Sequence, residues 1–306
     1  MDPHRLGLVS TKLHYFQLVA RLGSIRRAAQ TLNVAPSSIS RVITQLEDDL
    51  KAPLFERVRQ RLKITSAGEL LLYRSRLSVK ELTRAFTEID DLQGLRRGTV
   101  SIAVVESVAR GIIPDAVAEF WKRFPAVTVD VKVMGSQHAF DAVAEGECDA
   151  ALAFDVRAPR NAQRLSTAPL NLGVILRPEH PLAARSELKL SDLVEERVIL
   201  SDSSLALGVS VDEALSSMPL EMGRLGRTNS IGVMIDLAVR GAGLALQTRL
   251  GAERELREGS LVFVPMRDPK LRARKLNLIA RSGSALSEAA TSLTATLTRI
   301  LQSLEP

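Results

Sequence analysis

The sequence predicts an α/β protein that carries an all-α head. Three observations lead there. From Leu13 to Leu92 apolar residues recur mainly at helical spacing, interrupted once by a short alternating stretch. Beyond Gly94 the texture changes to short β-branched runs separated by helical patterns, the signature of a parallel sheet. The charge divides at the same place: residues 1–97 hold 17 Lys+Arg against 10 Asp+Glu, leaving 24 against 25 for the remainder of the 306 residues.

The head reads as helix, helix, turn, helix. Leu13, Phe16 and Ala20 mark the first apolar stripe, Gly23 stops it, and Ser24 offers an N-cap for the next helix. That second helix buries Ile25, Ala28, Ala29 and Leu32, whose alanines let a partner cross closely. Asn33-Val34-Ala35 forms the turn, and Pro36 fits the first turn of the third helix, where its missing N–H costs nothing. On a helical wheel Ile39, Val42, Ile43, Leu46 and Leu50 share one side. The other side is Ser37, Arg41, Thr44 and Asp48, flanked by Ser38, Ser40 and Gln45. Short hydroxyls followed by an arginine and a glutamine suit close approach to a duplex and contact with base edges and phosphates; a solvated polar face is the bland alternative.

Residues 53–65 favour the duplex-binding face. Their sequence, PLFERVRQRLKIT, alternates apolar and polar residues around Arg57, Arg59 and Arg61, as a short hairpin or wing would, with arginines suited to phosphate or minor-groove contact. Ser66 and Glu69 form a capping-box pattern opening a helix to about Leu92. Along it Leu71, Ser75, Ser78, Leu82, Ala85, Ile89 and Leu92 alternate steps of four and three. This narrow seam is read as a dimer contact through Leu71, Leu82, Ala85, Ile89 and Leu92, in preference to packing within the chain. Together the pieces make a three-helix head with a hairpin over 1–65, a long helix over 66–94, and a domain over 95–306. A localised basic excess in the first third fits a polyanion-binding module.

In the larger domain the expected strands are Val100–Val105, Val127–Val133 and Ala150–Phe154, with helices over Pro114–Phe124 and about Ser136–Glu145 between them. A second unit shows in LNLGVIL, VILSD, the helical SIGVMIDLAVRGAG and LALQ. KLNLIAR and a helix from Ser287 to Leu304 return to the first. Two subdomains around a cleft are expected, about 99–160 with 270–306, and about 165–265.

Phe16 before Gly23-Ser24, then Ala28-Ala29, Leu32, Val34, Ile39-Ser40-Arg41, Ile43, Leu46-Glu47, Pro53-Leu54-Phe55-Glu56-Arg57, Thr65 and Ala67-Gly68 form a specific pattern. The chain resembles the LysR-type transcriptional regulators through these residues. The rest matches more loosely, at Ile113-Pro114, Phe124-Pro125, Gly146 with Asp149, Pro181-Leu182, and Val239 with Gly241-Ala242-Gly243. The resemblance implies a winged helix-turn-helix over 1–65, a dimerising linker helix over 66–94, a periplasmic-binding-protein-like effector domain over 95–306, homodimers assembling into a homotetramer, and binding to pseudo-palindromic promoter sites in double-stranded DNA. It also implies that the helix from Pro36 reads DNA and that the Arg57 to Arg61 loop is the wing. Lys51 departs from the family's usual glycine, so the turn into Pro53 must accommodate a side chain or the lysine must reach phosphate. Gln247 departs from a common proline.

Ligands of open α/β folds bind beyond the C-terminal strand ends, where helix N-termini converge. That places a small-molecule effector near Val105, Glu106, Ser107, Phe154, Ser201, Asp202, Ser203, Thr228, Asn229 and Ser230, positions that also match the family's cleft; helix capping alone is the alternative for the polar ones. Glu106 is the least expected. It is neutralised by a cation such as Arg110 or Arg227, or the effector carries hydroxyl or cationic groups, or it faces solvent. No catalytic residues, metal site or cofactor are expected: His4, His14, His138 and His180 lack metal spacing, and GxSxG, P-loop and HExxH motifs are absent. The rival reading is a winged helix fused to a catalytic α/β domain. Cys148 reads as a small core residue. No apolar run is long enough for a membrane helix and the N-terminal residues lack a signal-peptide pattern, so a cytoplasmic protein with no membrane partner is expected.

Overall fold

The computed structural model describes residues 7–58, 61–92, 98–154, 159, 161–216, 223–268, 271, 273–282 and 286–304. They divide into two compact units, 1–96 and 97–306.

The first unit opens with α1 (Thr11–Leu22), capped by Ser10 and closed by Gly23 in the left-handed region. Ser24 caps α2 (Ile25–Leu32) as expected, its hydroxyl accepting from the Arg27 N–H. Asn33, also left-handed, turns the chain into α3 (Pro36–Leu50), which begins at Pro36. Phe16, Val19, Ala28, Ala29, Ile39 and Ile43 form the buried core where the three helices cross. Lys51 ends α3 with φ +52°, so the position that departs from glycine holds a side chain in the left-handed conformation.

A hairpin comes next: β1 (Phe55–Val58) pairs antiparallel with β2 (Arg61–Ile64). α4 (Ser66–Leu92) leads away from it. Its cap is Thr65, one residue before the expected Ser66. The Thr65 hydroxyl donates to the Pro53 carbonyl at 2.6 Å and accepts from the Gly68 N–H at 3.1 Å, so the hairpin base and the helix start are one joint. Gly68 has no room for a Cβ, which would collide with the Leu54 carbonyl. The expected dimer seam is divided. Leu71 packs on its own unit's core, and buried Ser75 accepts from the Gln17 amide at 3.0 Å, so this end serves packing within the chain. Leu82 is half-buried, Ala85 and Ile89 are exposed, and the Leu92 side chain lies outside the described residues.

The second unit contains two five-stranded sheets. β3 (Gly98–Val104), α5 (Glu106–Gly111), α6 (Ile113–Arg123), β4 (Val127–Val133), α7 (Ser136–Ala144) and β5 (Ala150–Phe154) alternate as expected, save that α5 is an additional short helix. β6 (Ala162–Leu170) then joins the same sheet. The second sheet and the helices between its strands follow as β7 (Leu172–Leu176), β8 (Arg197–Ser201), α8 (Ala206–Ser216), β9 (Arg224–Thr228), α9 (Ile231–Val239), β10 (Leu244–Thr248), α10 (Glu253–Arg257) and β11 (Val262–Pro265). β12 (Arg274–Arg281) and α11 (Glu288–Ser303) return to the first.

The strand orders are β4-β3-β5-β12-β6 and β11-β7-β10-β8-β9. Within them β3, β4 and β5 are mutually parallel, and so are β8, β9 and β10. The second subdomain was expected from about 165. Residues 165–170 instead pair with β12 as part of β6, so the crossing between sheets falls between Leu170 and Leu172. On one face of the first sheet Ile102, Val104 and Leu152 pack against Phe120 of α6 and Leu293 and Leu297 of α11; on the other, Ala103, Ala151 and Ala153 receive Phe140 and buried Cys148.

Candidate functional site

The polar side of α3 is open. Ser37, Ser38, Ser40, Arg41, Thr44 and Gln45 are all exposed, while Ile39 and Ile43 behind them are buried. Arg57 of the hairpin is exposed too; Arg59 lies outside the described residues, as does the side chain of Arg61. Glu47 holds the hairpin to the helix. Its carboxylate accepts from the Leu54 N–H at 2.7 Å and the Phe55 N–H at 3.1 Å, coupling the last turns of α3 to the start of β1. Sequence reasoning missed this role, although Glu47 and Leu54-Phe55 stand together in the pattern that carries the resemblance.

In the second unit a cleft of about 350 Å³ opens where the C-terminal ends of the parallel strands of both sheets meet. Six of the expected residues line it: Val105, Glu106, Ser107, Phe154, Ser201 and Asn229. The other four do not. Asp202 accepts from the Ser204 N–H and hydroxyl, and these hydrogen bonds hold its carboxyl below the usual range. Thr228 accepts from the Ser230 N–H, Ser230 caps α9, and Ser203 is exposed beside the lining. For Asp202 and Thr228 local turn and capping bonds engage the polar groups.

Gln247, Thr248, Arg274 and His138 also line the cleft and were not foreseen as site residues. Gln247, flagged only as a departure from proline, is buried in β10, and its Oε1 accepts from the Thr248 N–H at 2.8 Å. The side-chain hydroxyls of Ser201 and Thr248 are buried and have no hydrogen-bond partner among the described residues. Arg274, at the start of β12, donates to the Ser210 hydroxyl of α8 at 2.8 Å, a tie from one sheet's layer to the other's.

Glu106 makes a second tie. Its carboxylate accepts from the Ser230 hydroxyl and from the Ile231 and Gly232 N–H groups, each at 2.9 Å, at the N-terminus of α9. It does not point to solvent. The two cations considered as its partners are engaged with other groups: Arg227 pairs with Asp212 at 2.8 Å, and Arg110 donates to the Gly251 carbonyl at 3.0 Å and to Glu255 at 3.3 Å. Near that third tie, half-buried Glu253 accepts from the Gly251 N–H, and burial pushes its carboxyl up from the ordinary range. Among the described residues no cluster of three or more His, Cys, Asp or Glu could hold a metal ion, and no helix is long and apolar enough to cross a membrane.

The two units match two family models. Residues 10–69 match the bacterial regulatory helix-turn-helix protein, lysR family, and residues 93–302 match the LysR substrate binding domain. The chain belongs to the LysR family of transcriptional regulators, with a helix-turn-helix DNA-binding domain and a substrate-binding domain.

Among similar proteins, an uncharacterized HTH-type transcriptional regulator, YybE of Bacillus subtilis, is 29% identical over 66% of this chain and 69% of its own length. A probable RuBisCO transcriptional regulator of Synechocystis is 28% identical over 91% of this chain and 82% of its own. Of solved structures, a full-length OxyR cysteine variant from Pseudomonas aeruginosa superposes with a TM-score of 0.64 at 18% identity, covering 96% of this chain and 94% of that one. CbnR, a LysR family transcriptional regulator, gives 0.61 at 18% identity over 94% and 97%. These likenesses concern the fold.

Proposed function

We propose that the exposed face of α3 reads the major groove through Ser37, Ser38, Ser40, Arg41, Thr44 and Gln45, with the hairpin arginines on the flanking backbone. We further propose that a small molecule in the cleft between the two sheets sets the strength of DNA binding. The observation that carries the reading is the pairing of these two features in one chain: an open hydroxyl-and-arginine helix face beside a basic hairpin, and a cleft whose wall holds buried hydroxyls without a hydrogen-bond partner among the described residues. The chain acts through binding, not catalysis, as its relatives are transcriptional regulators. Dimerisation through the outer part of α4, assembly into a tetramer on pseudo-palindromic sites, and work in the cytoplasm belong to the same reading. The domain limits 1–65, 66–94 and 95–306 are its working division.

The test begins with recovery of the genomic DNA that the full-length protein retains, and continues with binding titrations on one recovered site and on random DNA. Arg41→Ala should weaken specific binding by about 1–3 kcal/mol, the range of a good base contact, with a smaller effect on random DNA. Equal losses on both would remove Arg41 from sequence reading. Metabolites are then added to the titrations, and a cleft that regulates must give at least one compound that changes the affinity.

A further inference from the structure

Backbone N–H groups at a helix start carry partial positive charge and make a ready seat for an anion. α9 opens with such a seat on the cleft, and the chain fills it from the opposite sheet's layer. The Glu106 carboxylate takes three donors there, from Ser230, Ile231 and Gly232. The surroundings are closed as well: a Cβ built on Gly232 would meet the Arg110 guanidinium at 3.1 Å and the Glu106 carboxylate at 3.5 Å. A second carboxylate brought into this partly desolvated space would face the charge of the first, and two like charges in one pocket repel.

The polar groups on the wall that lack partners are neutral. The residues Ser201 and Thr248 are each 1% exposed, and neither hydroxyl has a hydrogen-bond partner among the described residues. Such groups are retained at a cost unless something binds them. Beside them Gln247 presents an amide, and much of the remaining wall is apolar, including Val105, Met134, Phe154 and Leu205. Arg274 is the lining guanidinium, and Ser210 already engages it.

We propose that the cleft takes a small uncharged molecule, largely apolar, with a hydroxyl, carbonyl or amide group for Ser201, Thr248 and Gln247, and that it rejects carboxylates because Glu106 is the chain's own occupant of the anion seat. This rests on the reading of the cleft as a ligand site. It narrows the ligand class and makes Glu106 a built-in counterpart of the ligand instead of a contact to it.

Thermal melting of the full-length protein tests it, with propionate and propionamide as probes of nearly equal shape and different charge. Wild type should be unmoved by propionate. Glu106→Ala should melt lower, and propionate at about ten times its Kd should restore ~3–6 °C, propionamide much less. Where Glu106→Ala folds poorly, the yield of folded protein with and without propionate is the readout. Propionate stabilising wild type would overturn the proposal, because an anion site would then be open; failure to rescue Glu106→Ala would overturn it too, because the seat would not be one.

The neutral half is tested with benzamide, benzyl alcohol and benzoate on wild type and Thr248→Val. At least one neutral compound should raise the wild-type melting temperature, less so in the variant, while benzoate should not. A benzoate-only response, no response to either neutral compound, or equal responses in Thr248→Val would remove the hydroxyls from recognition. Any of these results leaves ligand control of DNA binding standing, since a carboxylate held by Arg274 would still be a ligand. That broader reading fails separately, when no cleft compound alters DNA affinity.

Discussion

Glu47→Ala isolates the joint between the α3 helix and the hairpin. The carboxylate accepts two backbone N–H groups, from Leu54 at 2.7 Å and Phe55 at 3.1 Å, and Leu54 is 1% exposed. Hydrogen bonds to an ionised group contribute about 1.5–3 kcal/mol each when buried. Glu47 and Phe55 are both half-buried, so the sum falls well short of twice that figure. The expected loss is about 2–3 kcal/mol, with about half of it for Glu47→Gln, which keeps one carbonyl acceptor. Urea unfolding of the full chain provides the assay. The chain's one tryptophan, Trp121, lies in the second unit, so its fluorescence tracks that unit while far-ultraviolet circular dichroism tracks helices of both. The helical signal from the first unit should shift to lower urea with the tryptophan transition unmoved. DNA binding should fall as well, because the hairpin loses its anchor to the reading helix. An unchanged dichroism transition would refute the reasoning, for two charge-assisted bonds cannot be lost without consequence in a core this small.

Three further outcomes are expected. Lys51→Gly should stabilise the first unit by about 0.5–1 kcal/mol, since φ +52° suits glycine better than a residue with a Cβ; a loss of stability in the same urea titration would mean that the lysine side chain holds something. Ile89→Asp, at a 50% exposed position on the outer seam, should produce smaller species in sedimentation, and a variant of unchanged mass would place the dimer contact elsewhere. Glu253 binds its proton more tightly in the folded chain than in the unfolded one because burial disfavours its charge. Its contribution is fully present below the unfolded pKa and is lost as pH rises through the folded one, so Glu253→Gln should gain on wild type as pH rises above the ordinary glutamate range, and a pH-independent difference in melting temperature would contradict the shift.

The elements that the sequence revealed are those whose local chemistry agrees with their tertiary setting. Ser24 and Pro36 are helix starts in any context, and the strand over 150–154 is buried at four of its five positions, so its apolar run is continuous. The missed strands sit at edges. β6 and β9 close the two sheets on one side, and neither holds an alternating apolar face: AQRLSTAPL is largely open to solvent, and RLGRT has no fully buried residue. Such strands are fixed by backbone pairing with β12 and β8, a cause that leaves little trace in residue type. The capping residue of α4 was misplaced by one because both Thr65 and Ser66 can cap. What decides is the Thr65 hydroxyl's bond to Pro53, twelve residues away.

The site divides along the same line. Val105, Phe154 and Ser201 were found because each lies at or just beyond the C-terminal end of a strand legible in the sequence, and Asn229 because it belongs to the polar run that opens α9. Arg274 escapes that rule: it begins β12, and because β12 runs antiparallel to β5, the start of one strand shares an edge with the end of the other. Glu106 shows the limit most clearly. Reasoning from charge sought a formal cation for it, and the arginines offered were taken by Asp212, Glu255 and a backbone carbonyl. Its partners are a hydroxyl and two amide dipoles, the amides 125 and 126 residues further along the chain. A helix N-terminus is a positive group that no residue type announces, and only the fold could bring it to the carboxylate. The same contact shapes the proposed ligand preference: the chain's own carboxylate fills the seat at the start of α9, and under that proposal a ligand meets Ser201, Thr248 and Gln247.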